Sequence, residues 1–180
     1  VTDLEMKDGS VKRLEINKKE WMDAEVVVFA VGHSARDTFE MLQTKPVSLQ
    51  AKSFAVGIRI EHPQKMIDLA QYGEIEPGIL PAAAYKVTQK LENGRGVYSF
   101  CMCPGGYVVN ASSEEGRIAV NGMSYHRRDG ENANSAIIVT VTPEDFEGED
   151  ALAGVRFQRK LEEAAYHAGD GKIPVQCFED

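Results

Sequence analysis

Two short alternating runs open the chain, at residues 2–6 and 11–16, separated by Lys7-Asp8-Gly9-Ser10. Asp-Gly between alternating runs predicts a hairpin, because both turn residues tolerate positive φ. Residues 25–31, EVVVFAV, are continuously apolar after Glu25 and rich in β-branched valine. That pattern predicts a strand covered on both faces. Gly32-His33-Ser34 follows, and then Ala35, Phe39 and Leu42 recur on one helical face. Ser34 fits the helix N-cap, with Asp37 three residues on as a weak capping box. Pro46 lies beyond the helix end. Residues 25–43 therefore predict strand, glycine turn, helix.

The pattern loosens at residues 45–52, which places a domain boundary there. Residues 54–61 alternate again, with Val56, Ile58 and Ile60 on one face and Gly57, Arg59 and Glu61 on the other. Pro63 opens a short helix to about Gln71, and residues 77–81 form a loop. Strands are predicted at 85–91, 97–103, 107–111, 117–121 and 136–141, the last rich in β-branched residues. Residues 121–135 are placed in a polar loop. Phe157, Leu161, Ala164, Ala165 and Ala168 keep a 3.6-residue period, and Gly169 fits the position after the C-cap. The sum is a strand-rich α+β chain with a mixed or antiparallel sheet and about three helices. No repeat or low-complexity segment interrupts it.

Composition narrows the function classes. The 180 residues carry a net charge of −8, with no basic run. This argues against nucleic acid and anionic membranes as partners. The longest apolar run is the six residues from Val26 to Val31, against roughly 20 for a membrane span. Three cysteines do not make a disulfide framework, which points to a reducing, cytoplasmic compartment. Val1 is not an initiator Met, and the chain reads as a piece of a longer protein.

Four places could carry chemistry. Cys101 and Cys103 sit one residue apart before Pro104-Gly105-Gly106. A structural zinc needs four ligands and this pair supplies two at most, so no metal is assigned. A disulfide across so short a loop would be strained. Buried thiols beside a type II turn, or a bare turn approached closely by a ligand, remain open. Gly32-His33-Ser34, at a helix N-terminus, favours anions or serves as a plain turn. The polar stretch holding His126, Arg127, Asn132 and Asn134 is a binding loop or a solvated one. Arg59 either holds a substrate carboxylate or pairs with an acid such as Glu61. No Ser-His-Asp arrangement or carboxylate pair is visible, and no catalytic residue is assigned.

FAVGHSARDTFEML, FAVGIRIEHPQ, GRGVYSFCMCPGGYVV and NGMSYHRRDGENANSA, in this order, resemble segments of a bacterial family of FAD-dependent dehydrogenases. The resemblance runs from about Val11 to Phe178. It implies a two-part flavoprotein in which an FAD domain is interrupted by a substrate or cap domain. The Gly-rich FAD fingerprint of that family is absent from this chain. Residues 1–50 then correspond to a strand-turn-helix remnant of an α/β FAD domain, and residues 51–180 to the inserted domain. Gly32, His33, Ser34, Pro104, Gly105 and Gly106 would approach the flavin. Arg59, Cys103, His126, Arg127, Asn132 and Asn134 would face the substrate. The implied function is that of a substrate-domain segment of a cytoplasmic FAD-dependent oxidoreductase. Its partners would be the rest of the FAD domain and a small-molecule substrate. FAD belongs to the parent, and this segment alone would not hold it tightly. The alternative is a non-catalytic module in which Arg59, His126 and Arg127 grip a small acid; a thiol-redox or metal protein is a third class.

Overall fold

Asp8 and Gly9 both take positive φ, 53° and 76°, and close the hairpin between β1 (Asp3–Lys7) and β2 (Ser10–Ile16). A third strand, β3 (Glu20–Asp23), was not foreseen. It is short and wholly exposed, so no periodicity marks it. It folds back on β2 through Asn17 and Lys18, both at positive φ. In this computed structural model residues 1–74, 76 and 78–178 are described; Pro77, the first residue of the predicted 77–81 loop, lies outside them.

The chain divides into two units, Val1–Lys52 with Phe146–Gln158, and Ser53–Asp145 with Arg159–Asp180. The first holds the three-stranded sheet and α1 (Arg36–Gln43). Leu4, Leu14 and Leu42 form its buried cluster; of the predicted helical face Ala35, Phe39 and Leu42, Leu42 belongs to it, and Met41 packs against it. Two local readings need correction. Residues 25–31 are not a strand: they join no ladder, and Val26 and Val28 are each 84 % exposed. A strand exists through its pairing, and among the described residues none pairs with this run. Only Val27 packs on the leucine cluster. Ser34 is not the N-cap either. Ala35 takes that place without a side-chain cap, and Asp37 accepts from the Thr38 N–H at 2.8 Å instead.

The second unit is built on an antiparallel sheet ordered β4-β9-β6-β5. β4 (Phe54–Pro63) pairs with β9 (Asn132–Val141) over ten residues without a break. β6 (Gly96–Cys103) covers the other edge of β9, and β5 (Thr88–Lys90) flanks β6. β7 (Gly106–Asn110) and β8 (Val120–Ser124) form a separate pair. β9 starts four residues before the predicted strand. Its central place, bonded on both edges, outweighs the poor strand preference of Asn132 and Asn134. β8 lies three residues later than predicted and β5 is shorter. α2 (Gln64–Tyr72) follows Pro63 as expected. α3 (Ala153–Ala168) contributes residues 153–158 to the first unit and 159–168 to the second. The α+β class and the three α-helices therefore stand.

Within the second unit, Arg159 grips Glu114 with Nε and Nη2, and Arg117 meets Glu163 at 2.6 Å. Arg95 and Asp145 clamp the far end of the sheet, where Asp145 also accepts from the Thr142 N–H at 2.8 Å. The Arg95 guanidinium holds the Asp145 carboxyl down to about 2, from an ordinary 3.8. A depressed folded value means stability present above 3.8 and lost as the pH falls toward 2. Asp145→Asn should melt below the wild type at pH 7, and the gap should close between pH 4 and 2. Parallel thermal melts across that window check it; a gap independent of pH would contradict it.

Candidate functional site

Pairing register decides which side chains meet. Opposed residues across a ladder share a face. Arg59 opposes Ala136, Glu61 opposes Asn134, and Cys103 opposes Asn134 from the other edge. Arg59, Asn134 and Cys103 thus gather on one face of the sheet, although they are distant in sequence.

Arg59 is the hub. Its Nε donates to Asn134 Oδ1 at 2.6 Å, Nη2 to the Cys101 carbonyl at 2.5 Å and to Cys103 Sγ at 3.3 Å, and Nη1 to Asn121 Oδ1 at 3.5 Å. None of these acceptors is an acid. Among the described residues no carboxylate pairs with Arg59. Glu61, the expected partner, instead accepts from the Val108 N–H at 3.2 Å and from Asn132 Nδ2 at 2.7 Å. The guanidinium is therefore held as a positive charge without a counter-ion. Asn134 is wholly buried, and its Nδ2 finds no partner among the described residues. Gly122 on β8 makes room for this knot: a Cβ there would stand 2.0 Å from both Arg59 Nη2 and Asn134 Oδ1.

The cysteines divide. The ladder slips between Phe100 and Cys103, and Cys101 sits in that bulge at φ 49° with its thiol side exposed. A non-glycine residue there costs about 1–2 kcal/mol. The gain is that its carbonyl turns onto Arg59. Cys103 is buried, and burial pushes its thiol up, with Arg59 pulling the other way. A thiol kept protonated is a poor nucleophile and metal ligand. Among the described residues no group of three His, Cys, Asp or Glu gathers where a metal ion could sit, and no helix is long and apolar enough to cross a membrane.

The Pro104-Gly105-Gly106 turn is buried against the chain itself. Gly105 takes φ 54°, and a Cβ on it would stand 2.1 Å from the Arg128 carbonyl oxygen; one on Gly106 would meet Met123 O at 2.1 Å. The Gly105 N–H donates to buried Gln64 Oε1 at 2.9 Å, while Gln64 Nε2 donates to Asp68 and to Ala83 O. Packing alone accounts for both glycines. His126 and Arg127 are exposed in the short 125–131 loop, apart from the hydrogen bonds of the Arg59 knot. Asn132 and Asn134 lie on β9, which corrects their placement in a loop. In the first unit, Gly32, His33 and Ser34 are exposed, with nothing within 4 Å of a Cβ built on Gly32. His33 Nε2 and Ser34 Oγ touch at 3.3 Å.

Sequence reasoning placed His62 beside Arg59 and Glu61 but missed Tyr85 and the pairing of the two. His62 Nε2 lies 2.9 Å from Tyr85 Oη. Burial raises the Tyr85 phenol above its ordinary value, against the opposing pulls of Ser135 and Arg59. The residues lie 23 apart, and no spacing rule joins them.

Residues 53–180 match the model of the family described as FAD-dependent protein, C-terminal domain-like. The chain belongs to that family. It is also 53 % identical over 178 residues to a Clostridium beijerinckii protein named only as an uncharacterized protein. That alignment covers 97 % of this chain and 33 % of the relative, so the chain spans about a third of the relative's length. In the first unit the turn at Gly32 is open, and in the second the Arg59 guanidinium has no carboxylate partner among the described residues. Neither is a pyrophosphate cradle, for which a run of closely spaced glycines is needed.

The turn makes an ordered prediction. Gly105→Ala should cost about 2–4 kcal/mol, from overpacking and a left-handed backbone, whereas Cys103→Ser should cost about 1 kcal/mol. Urea denaturation measures both; the reverse order would contradict the packing account.

Proposed function

We propose that the chain is the substrate-side segment of an FAD-dependent oxidoreductase of the dehydrogenase type. Residues 53–180 position a small substrate against the flavin of a longer protein, and residues 1–50 belong with its FAD domain. The family match over residues 53–180 carries this reading. FAD, when bound, supplies the redox chemistry, and the protein supplies binding, orientation and exclusion of water.

The Arg59 knot supports a role on the substrate side. A guanidinium has five N–H donors. Four are directed at Asn134, Asn121, Cys101 O and Cys103 Sγ, which leaves one on Nη1. The Asn121 contact is the longest, at 3.5 Å, and is the easiest to exchange. An acidic group arriving at Nη1 would gain two donors and supply the missing counter-charge. Asn134, on the same guanidinium, fixes its plane. His126, Arg127 and Asn132 are secondary contributors, from the 125–131 loop and the start of β9.

The alternative, a non-catalytic module for a small acid, uses the same Arg59 without a flavin. FAD retention separates the two. The 180-residue chain should purify without stoichiometric flavin, because the phosphate cradle is missing. The full-length Clostridium beijerinckii relative should carry FAD, read from its visible absorbance. A relative that is colourless and takes up no added FAD would overturn the flavoprotein reading in favour of the module.

A further inference from the structure

The sheet face opposite Arg59 carries a second polar group. Ile60 opposes Ser135 and His62 opposes Ala133, in rows alternating with that of Arg59. His62 Nε2 reaches Tyr85 Oη at 2.9 Å, with the two rings tilted 41° at 5.6 Å. His62 Nδ1 is buried and has no hydrogen-bond partner among the described residues. An orphaned buried N–H is rarer than an orphaned acceptor. The hydrogen therefore belongs on Nε2, and the imidazole donates to the Tyr85 oxygen. Ser135, wholly buried, lies on the same sheet face. Its contacts to the carbonyls of Phe100 and Ala136 are long, at 3.3 and 3.2 Å. With its oxygen receiving from His62, Tyr85 keeps its own O–H to give.

Tyr85 also lines a cleft of about 260 Å³, with Lys86, Ser99, Phe100, Cys101 and Met102. The cleft opens beside the last rungs that join this segment to β6, where Val87 N–H donates to Ser99 Oγ and Ser99 N–H to Val87 O, each at 2.8 Å. Pockets for drug-sized ligands run roughly 300–1,000 Å³, so this one suits a single ring or a smaller body. No acid pairs with Lys86 among the described residues. In a chain of net charge −8, an ammonium without a partner beside a spare phenol O–H is a local preference for an anionic oxygen. Phe100 and Met102 supply an apolar wall.

We propose that this cleft is a binding site for a small organic carboxylate, its oxygens on the Tyr85 hydroxyl and Lys86 ammonium and its apolar body against Phe100 and Met102. The site borders the Arg59 knot at Cys101, uses none of the Arg59 donors and does not require a flavin. Benzoate is the probe. Titrated into the 180-residue chain labelled at its methionine methyls, it should shift the Met102 resonance saturably, with a dissociation constant on the order of 1 mM. Tyr85→Phe should weaken it about five- to tenfold in a variant that still folds. His62→Leu should weaken it as well, by leaving the phenol oxygen without its donor. In a Cys177→Ser background, benzoate should slow alkylation of Cys101, which lines the same cleft. No saturable shift at Met102, equal binding of uncharged benzamide, or full affinity in a folded Tyr85→Phe variant would each overturn the proposal.

Discussion

A single guanidinium joins four strands. Arg59 stands on β4 and bonds to Asn134 on β9, to Cys101 and Cys103 on β6, and to Asn121 on β8. Much else in the second unit follows from it. Gly122 has to be bare so that the guanidinium can pass. Cys101 takes a costly left-handed backbone so that its carbonyl can accept. Asn134, wholly buried, depends on Arg59 for its oxygen. Hydrogen bonds to a charged group contribute about 1.5–3 kcal/mol each, and a buried acceptor left without a donor costs a similar amount. A stabilising knot of this kind would ordinarily recruit a carboxylate. Its acceptors are all neutral, and among the described residues no carboxylate pairs with it.

The parts of the fold that the sequence made legible are those whose causes are local. Asp8-Gly9 specified its hairpin through backbone freedom at two adjacent residues. Pro63 specified the start of α2 through its fixed φ and missing N–H. The alternation of residues 54–61 specified both faces of β4. The failures share one origin, that strands depend on pairing. Residues 25–31 have the composition of a buried strand and lack a partner. Asn132 and Asn134 have the composition of a loop and sit in the most fully paired strand of the sheet.

The candidate site was legible residue by residue and illegible as an arrangement. Arg59, Cys103 and Asn134 were each singled out, but only the β4–β9 and β6–β9 registers bring them together. Pro104-Gly105-Gly106 was placed at a ligand because paired glycines permit close approach. The approach is real, and what approaches is the chain's own backbone at Arg128 and Met123. His62 and Tyr85 carried no motif. Their association depends on where the segment before β5 leaves the sheet, a tertiary fact.

Arg59 is half-buried and held by four acceptors, and one N–H on Nη1 is left to give. Nitrogen-detected NMR of the arginine Nε–H groups in the 180-residue chain tests this. The account predicts that the Arg59 Nε–H exchanges with water far more slowly than those of exposed Arg127 and Arg128, and that small carboxylates perturb the Arg59 side-chain resonances. Exchange as fast as at Arg127, with no response to carboxylate, would contradict it.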